Sequence, residues 1–325
     1  MRICVLGAGA IGGFVGTRLA AAGVETSAVA RGATLDALRT HGWRVRERDG
    51  SLTTAPVHAT ADAAELGVQD LVVLAVKAHS LHGALDSLLP LLGTDTTVLA
   101  ALNGVPWWFF DGFGGPCRGV SLDSVDPGGL LARKVPARHV VGAVVYLSGT
   151  SPEPGLARHV SGNRFILGEP DGSDSPRVRE LAALLGGAGL GAEVSTRIHR
   201  DIWRKLWGTM TMNPVTALTR ATADRVFDDP LVLRFCRDIM LEARRVGDLI
   251  GCPTEETPEA RMELIRGTLG AARARTSMLQ DMEAGRALEL DALVGALHDI
   301  GEQVGVPTPN IDALLGLTRL AAACR

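Results

Sequence analysis

The sequence predicts an α/β N-terminal domain built on a doubly wound, mostly parallel sheet, followed by an all-α C-terminal domain. The chain opens on a short apolar run that leads straight into glycines, and two more continuous apolar runs follow within the first 102 residues. Such runs are typical of strands covered by helices on both faces. The last third instead carries apolar residues at helical spacing. Because 325 residues exceed the size of most single cores, we expect two domains, spanning residues 1–190 and 191–325.

The first apolar run and its glycines predict a strand, a tight turn and the start of a helix. Gly7, Gly9 and Gly12 form the pattern G-x-G-x-x-G. The first glycine makes the turn, the second lets the backbone approach a pyrophosphate, and the third permits close packing of helix on strand. The helix N-terminus offers free N–H groups to the phosphate. The segment therefore predicts a dinucleotide site in a Rossmann domain, and its residues are Gly7, Ala8, Gly9, Ala10, Ile11 and Gly12.

The end of the second predicted strand, residues 24–30, indicates which dinucleotide is bound. At this position an Asp or Glu would accept hydrogen bonds from the ribose 2′-hydroxyl of NAD(H). This chain has Arg31, whose guanidinium suits a 2′-phosphate. Arg31 could also be an ordinary solvated arginine. After the glycine motif we favour the phosphate role, and we expect NADP(H) as the cofactor.

Two more side chains stand where predicted strands end. Lys77 follows the apolar run 70–76, and Asn103 follows the run 97–102. In open α/β sheets, ligands bind outside the carboxyl ends of the strands. We therefore expect Gly7, Arg31, Lys77 and Asn103 to face one crevice.

Composition excludes several classes of partner. The net charge of −3 gives no reason to expect nucleic acid or an anionic membrane surface. No apolar run approaches the roughly 18 residues of a membrane span, and no signal peptide is visible, so we expect a cytoplasmic protein. The five cysteines are scattered without metal-site or redox spacing, which indicates buried or incidental thiols and no metal site.

The stretch 105–138 is rich in Gly, Pro and aromatic residues. Such a cluster is more often a packed surface excursion than a ligand platform, although it could also wall a pocket. After it, residues 140–147 and 164–167 are predicted as the last strands of the first domain, and residues 177–185 as a helix.

The predicted helix at about 200–213 carries Lys205, Thr209 and Asn213 at positions i, i+4 and i+8. This polar stripe is either a solvated face or the lining of a closed cleft, because the rest of the helix is strongly apolar. Pro214 predicts that the helix ends or kinks at Asn213. Further on, Glu289 lies at the border of the apolar face of a predicted helix, and near a lysine it would be a candidate site residue.

These motifs together resemble the ketopantoate reductase (2-dehydropantoate 2-reductase) family over nearly the whole chain. The resemblance rests on residues 7–12, Arg31, 76–78, 103–104, 203–206, 213–214, 277–281 and 289–291. It implies a Rossmann domain, a helical domain, NADPH as cofactor and a small 2-keto acid as substrate. It also implies a general acid at Lys205, a partner of the substrate hydroxyl at Glu289, and substrate contacts at Asn103, Thr209, Asn213 and Ser277. Lys77 and Asn103 would lie near the cofactor and the reacting carbon.

Two positions depart from the family pattern. Thr209 stands where well-studied members have Asn, and Ala274 stands where another substrate-contacting Asn is expected. Three functions therefore remain open: NADPH-dependent reduction of ketopantoate or a related branched 2-keto acid, reduction of a different carbonyl or an imine in the same fold, and non-catalytic NADPH-binding regulation. A homodimer is one assembly open to such a chain, because helical C-terminal domains often pair.

Overall fold

The computed structural model describes residues 1–269 and 273–324, which form two compact units. Residues 1–102 and 131–198 make up the sheet unit; residues 103–130 join those from His199 onward in the helical unit. The ranges expected from the sequence, 1–190 and 191–325, treat each domain as one continuous segment. The structural units are instead discontinuous, because 28 residues, 103–130, cluster with the helices.

The sheet unit contains a mixed sheet with a parallel centre. Its order is β4-β3-β9-β8-β7-β6-β1-β2-β5, and β10 pairs with β9. Only the β3–β4 and β8–β9 pairs are antiparallel among the described residues. The predicted doubly wound, mostly parallel sheet is thus confirmed. The strands are β1 Ile3–Leu6, β2 Thr26–Val29, β3 Trp43–Arg46, β4 Leu52–Ala55, β5 His58–Thr60, β6 Leu71–Leu74, β7 Thr97–Ala100, β8 Val140–Glu153, β9 Leu156–Gly168 and β10 Gly191–Val194.

The continuous apolar runs form the central strands of this sheet. All four residues of β1 and all four of β6 are buried. Burial of these side chains is worth about 1.5–3 kcal/mol for each large aliphatic residue. The strand order reverses at β1, which lies between β6 and β2. The loop after β1 is therefore at the switch point of the sheet, where ligands of such folds bind.

The β8–β9 hairpin is longer than the sequence predicts. The expected strands stop at residue 147 and begin again at residue 164, whereas the hairpin runs on to Glu153 and starts at Leu156. Its outer half is mostly exposed or half-buried and polar, and its register shifts at several points. The alternation of apolar and polar residues that identifies a strand is therefore missing there. Gly155, with φ of +68°, lies at the tip of the hairpin.

The helices expected after the glycine motif and over 177–185 are present, and three further α-helices lie between them. Ser175 caps α5 by accepting a hydrogen bond from the backbone N–H of Val178, and Pro176 takes the first helical position. These helices are α1 Ala10–Ala21, α2 Gly32–His41, α3 Leu81–Leu88, α4 Leu130–Lys134 and α5 Pro176–Gly187.

The described part of the helical unit contains helices and turns but no strand, so the all-α prediction is confirmed. Asp229 caps α8 through the N–H groups of Leu231 and Val232, and Pro230 takes the first helical position, a combination typical of a helix start. A π-helical turn, Asp291–Gly295, precedes α11. The helices are α6 Ile198–Thr219, α7 Ala223–Asp228, α8 Pro230–Leu249, α9 Pro258–Leu269, α10 Ser277–Glu283, α11 Ala296–Val304 and α12 Pro309–Ala323.

Of the two outcomes that Pro214 predicts at Asn213, an end or a kink of the helix, the end does not occur. The helix continues through Pro214 to Thr219. Pro214, Val215 and Ala217 are buried, so the turn after the proline packs apolar side chains that offset the lost helical hydrogen bond. The hydroxyl of Thr216 also donates to the backbone carbonyls of Met212 and Asn213.

The aromatic part of the 105–138 stretch packs inside the helical unit. Residues 105–110 are all buried. The ring of Phe113 stacks on His199 at 3.9 Å between centroids, and Phe109 meets His199 edge-on at 5.1 Å. The packed interpretation of this segment is therefore confirmed for these residues, and the segment covers the start of α6.

Four of the five cysteines are buried and only Cys324 is exposed, in agreement with the prediction of buried or incidental thiols. Burial raises the pKa of Cys4 to about 11 and that of Cys236 to about 12, so these thiols stay protonated at neutral pH. Within residues 1–269 and 273–324, no helix combines the length and apolar character that crossing a membrane requires.

The buried ring of His199 predicts a specific loss of stability in acid. Burial lowers the pKa of His199 to about 4, against a smaller opposing effect from a backbone hydrogen bond at Phe109. Between about pH 6.5 and pH 4, the imidazole of His199 is protonated in the unfolded chain but stays neutral in the folded chain. The free energy of unfolding therefore falls as the pH falls. His199→Phe should reduce this loss by about 2 kcal/mol between pH 7.5 and pH 5 in denaturant titrations.

The exposed His41, changed to Phe, is the matched control and should leave the pH dependence unchanged. Equal acid sensitivity in wild type and His199→Phe would contradict this account of His199.

Candidate active site

A cavity of about 800 Å³ lies at the carboxyl ends of β1, β2 and β6 in the sheet unit. Residues from four parts of the chain line it: the glycine loop, the start of α2, one side of α3 with the loop before it, and the tip of the β8–β9 hairpin. Its lining includes Gly7, Ala8, Gly9, Arg31, Thr34, Val76, His79, Ser80, Gly83, Ala84, Ser87 and residues 151–155. The cavity is therefore in the position expected of a dinucleotide site in a doubly wound sheet.

The three glycines of the motif lie in three different backbone environments. Gly7 has φ of +105°, and a Cβ there would lie 2.7 Å from the Ala75 carbonyl. A Cβ on Gly12 would lie 2.0 Å from the Gly7 carbonyl oxygen, so α1 packs directly against the turn. A Cβ on Gly9 would meet nothing within 4 Å, which leaves the backbone open to the cavity. This arrangement fits the close approach of a pyrophosphate.

Arg31 lies at the N-cap of α2, with extended backbone, and its side chain is held by another helix. Its Nη2 donates a hydrogen bond of 3.0 Å to the Oγ of Ser87 on α3. Both residues line the cavity. The first N–H groups of α2 have no acceptor within the helix. At this end of the cavity, the guanidinium of Arg31 and these backbone N–H groups can therefore donate hydrogen bonds to an anion.

The remaining predicted cofactor residues are placed differently. Ala10, Ile11 and Gly12 form the first turn of α1 and are not among the lining residues. Lys77 is exposed and follows β6; Val76 before it and His79 after it both line the cavity. The structure therefore brings Gly7 and Arg31 together at one cavity, with Lys77 beside its wall, while Asn103 clusters with the helical unit.

The second candidate centre is a lysine held by an amide within the helical unit. Lys205, on α6, donates a hydrogen bond of 2.7 Å from Nζ to the Oδ1 of Asn103. The next residue, Gly104, has φ of +83°, and a Cβ there would lie 2.3 Å from the Ala292 carbonyl oxygen. The N–H of Val105 donates to this same oxygen at 2.9 Å. Asn103 is thus fixed by the packing of its neighbours on the π-helical turn.

Burial lowers the pKa of the Lys205 ammonium to about 8, and the negative charge of Glu289 partly opposes this by raising it. Glu289 is 8% exposed. It lies in an irregular segment just before the helical residues that begin at Leu290, and not on a helical face as the sequence indicated. The irregular segment after α10 was missed because the apolar residues from 290 onward continue a helical pattern. A lysine with this pKa can both hold and release a proton near neutral pH.

Lys205, Thr209 and Asn213 all lie within α6, because the helix does not stop at Asn213. Thr209 is half-buried, and its hydroxyl donates to the backbone carbonyls of Lys205 and Leu206, both at 3.3 Å. Asn213, one turn further, is also half-buried. The hydroxyl of Thr209 is therefore used inside the helix and has only acceptor capacity left for a ligand.

Ser277 is the first residue of α10 and is exposed. The residue before it, Thr276, is buried, caps α10 through the N–H of Leu279, and shares a 2.7 Å hydrogen bond with the hydroxyl of Thr216 on α6. This link between α6 and α10 was not found from the sequence, because single threonines carry no motif. The contact of Ser87 with Arg31, across 56 positions, was missed for the same reason.

No group of three or more His, Cys, Asp or Glu side chains able to hold a metal ion occurs among the residues that the structure describes. What the described residues do supply is a cavity beside the glycine loop and, within the helical unit, a lysine with a lowered pKa.

Comparison with known proteins places the chain in a family. The family described as "Ketopantoate reductase PanE/ApbA" matches residues 3–106, and "Ketopantoate reductase PanE/ApbA C terminal" matches residues 197–322. A 2-dehydropantoate 2-reductase from Mesorhizobium japonicum is 47% identical over all of this chain and 99% of its own.

Solved structures agree with these matches. A crystal structure from Ralstonia solanacearum MolK2, provisionally identified as a ketopantoate reductase, is 55% identical with a TM-score of 0.94, covering 100% of this chain and 98% of that chain. A dimeric ketopantoate reductase from Staphylococcus aureus is 19% identical with a TM-score of 0.75, covering 99% of each chain, and at this identity only the fold is shared. The chain belongs to the ketopantoate reductase family of oxidoreductases.

Proposed function

We propose that this protein reduces ketopantoate to pantoate with NADPH, a step of pantothenate biosynthesis. The observation that carries the proposal is the lysine centre of the helical unit. Lys205 has a lowered pKa, is held at 2.7 Å by the Asn103 amide, and is subject to the charge of the buried Glu289. We assign ketopantoate as the substrate of this centre because the family and the Mesorhizobium relative are named for its reduction.

The cavity of the sheet unit supports a dinucleotide cofactor, and Arg31 supports the phosphorylated form. Gly9 leaves room for the pyrophosphate, and the turn of Gly7 against Ala75 shapes the loop that would hold it. Arg31 and the N-terminus of α2 would hold the 2′-phosphate. We assign the cofactor role to residues 7–12, Arg31, Lys77 and Asn103, within a cofactor domain of residues 1–190.

The chemistry that the bound nicotinamide supplies is a hydride for the ketone carbon. As negative charge develops on the ketone oxygen, the ammonium of Lys205 stabilises it and transfers a proton to it. Asn103 holds Nζ in place, so the proton donor needs little reorganisation. Glu289 favours the protonated form of Lys205 and would accept a hydrogen bond from the substrate hydroxyl.

Asn213 and Ser277 would contact the substrate together with Asn103 and Thr209. Of these four residues, Thr209, Asn213 and Ser277 belong to a proposed catalytic domain of residues 191–325. We further propose that the enzyme acts in the cytoplasm and pairs as a homodimer, as described for the Staphylococcus relative.

A second candidate function is reduction of a different carbonyl or an imine in the same fold. It is favoured by Thr209, whose hydroxyl is bonded back to the helix, and by Ala274, which has no polar side-chain atoms. Both positions lack an amide that could bind a polar substrate group.

NADPH oxidation should therefore be measured against ketopantoate, other 2-keto acids and cyclic imines. The highest kcat/KM for ketopantoate would support the proposal, and the highest value for an imine would support the second candidate. No turnover of any compound, with NADPH still bound, would indicate a regulator instead of an enzyme.

Removal of the proton donor should abolish most of the turnover. For Lys205→Ala we expect kcat for ketopantoate to fall by about 10²–10⁴-fold, because general acid catalysis is worth that much. NADPH should still bind, as measured by fluorescence titration. The matched control is Lys134→Ala, since Lys134 is exposed at the end of α4. Turnover like that of wild type in Lys205→Ala would remove this lysine from the mechanism.

The pH dependence of turnover should report the pKa of Lys205. The lysine must carry its proton to act as an acid, so kcat/KM for ketone reduction, which reports groups of the free enzyme, should fall as the pH rises through about 8. Glu289→Gln removes the charge that raises this pKa, so the fall in kcat/KM should move to lower pH. The measurement is a kcat/KM profile from pH 5.5 to 10 for both proteins. A profile that stays in place or moves to higher pH in Glu289→Gln would contradict this assignment.

Loss of Arg31 should weaken NADPH binding and spare NADH. For Arg31→Ala we expect the Kd for NADPH to rise by at least about tenfold, because a charged hydrogen-bonded contact is lost. Arg48→Ala is the control, because Arg48 is exposed in the same unit and does not line the cavity. An equal loss of affinity for both cofactors would argue against the 2′-phosphate role.

A further inference from the structure

The hydroxyl of Ser87, on α3, is hydrogen-bonded to the side chain of Arg31 at the cavity of the sheet unit. Ser87 is 6% exposed, on the side of α3 that borders the cavity of the sheet unit. Its Oγ accepts the hydrogen bond from Nη2 of Arg31 at 3.0 Å. Arg31 itself is exposed and belongs to the end of a different segment, 56 positions earlier in the chain. A buried serine therefore holds an otherwise exposed arginine at the cavity wall.

The hydrogen bond to Ser87 lowers the entropic cost of binding a ligand through Arg31. The side chain is long and loses much rotamer freedom when a ligand fixes it, so a prior hydrogen bond reduces that entropic cost. The guanidinium has five N–H donors in a planar fork, and Ser87 uses one of them. The second N–H of Nη2 and the donors on Nε and Nη1 stay available for a phosphate.

We infer that Ser87 is a positioning residue that holds Arg31 ready for the 2′-phosphate and thereby sets the preference for NADPH over NADH. This inference rests on the proposed use of NADPH. Ser87 acts through Arg31, and no contact of Ser87 with the cofactor is needed. The apolar residues Leu81, Leu85 and Leu88 bury α3 against the unit, so the helix does not depend on the hydroxyl for its place.

The first test compares the affinities of Ser87→Ala for NADPH and NADH with those of wild type. Without the acceptor, Arg31 must be ordered by the ligand alone, so we expect the Kd for NADPH to rise about 3- to 10-fold and the Kd for NADH to stay unchanged. Ser87→Thr keeps the hydroxyl, so it should restore most of the difference between the affinities for NADPH and NADH. Ser27→Ala, which removes a half-buried hydroxyl that donates to the Ile3 carbonyl on β1, is the matched control.

The second test repeats Ser87→Ala in the background of Arg31→Ala. If Ser87 acts through Arg31, the serine change should have no effect on NADPH affinity once the arginine is gone, and the double-mutant cycle should be strongly non-additive. A general structural role of the serine would persist in this background.

The inference is overturned if Ser87→Ala weakens both cofactors equally, tightens NADPH, or keeps its effect without Arg31. It fails in a different way if the wild-type protein shows no preference for NADPH, because that result removes the proposed cofactor itself. A preference for NADPH in wild type that is reduced about 3- to 10-fold in Ser87→Ala, with none of the effect in the Arg31→Ala background, establishes it.

Discussion

The hydrogen bond between Lys205 Nζ and Asn103 Oδ1 is the contact on which the proposed chemistry depends. Burial makes the ammonium costly, and its pKa drops to about 8 as a result. The amide oxygen and the carboxylate of Glu289 keep the charged form accessible. The pKa of a lysine in water is too high for it to be an efficient acid near neutral pH, whereas the pKa of Lys205 lies close to neutral pH. The proton transfer that we propose for Lys205 depends on this lowered pKa.

Close backbone packing holds both candidate centres in place. In the sheet unit, Gly12 presses against the carbonyl of Gly7, which fixes the loop below the cavity. In the helical unit, Gly104 packs against the carbonyl of Ala292, so Asn103 has little freedom. Neither glycine contributes a functional group. Each allows a backbone approach that a Cβ would block, and the positions of the functional residues follow from that approach.

The sequence could predict what local pattern determines. The buried strands β1 and β6 and the glycine turn each depend on neighbouring residues, and the sequence predicts all three. It could not predict what long-range packing decides. The helix α6 passes through Pro214 because the residues after it are buried, and Glu289 precedes its helix although the apolar pattern continues. The contact of Ser87 with Arg31 joins distant segments and leaves no pattern at all.

The central claim, that Lys205 is a lysine with a lowered pKa, can be measured without any assay of turnover. The chain has only three lysines, at positions 77, 134 and 205, so lysine-selective isotope labelling gives a spectrum in which each can be assigned by single substitution. In an NMR titration of the folded protein, the signal that disappears in Lys205→Ala should titrate near pH 8. Titration of that signal near 10.5, the ordinary value for a lysine, would contradict the account of this site.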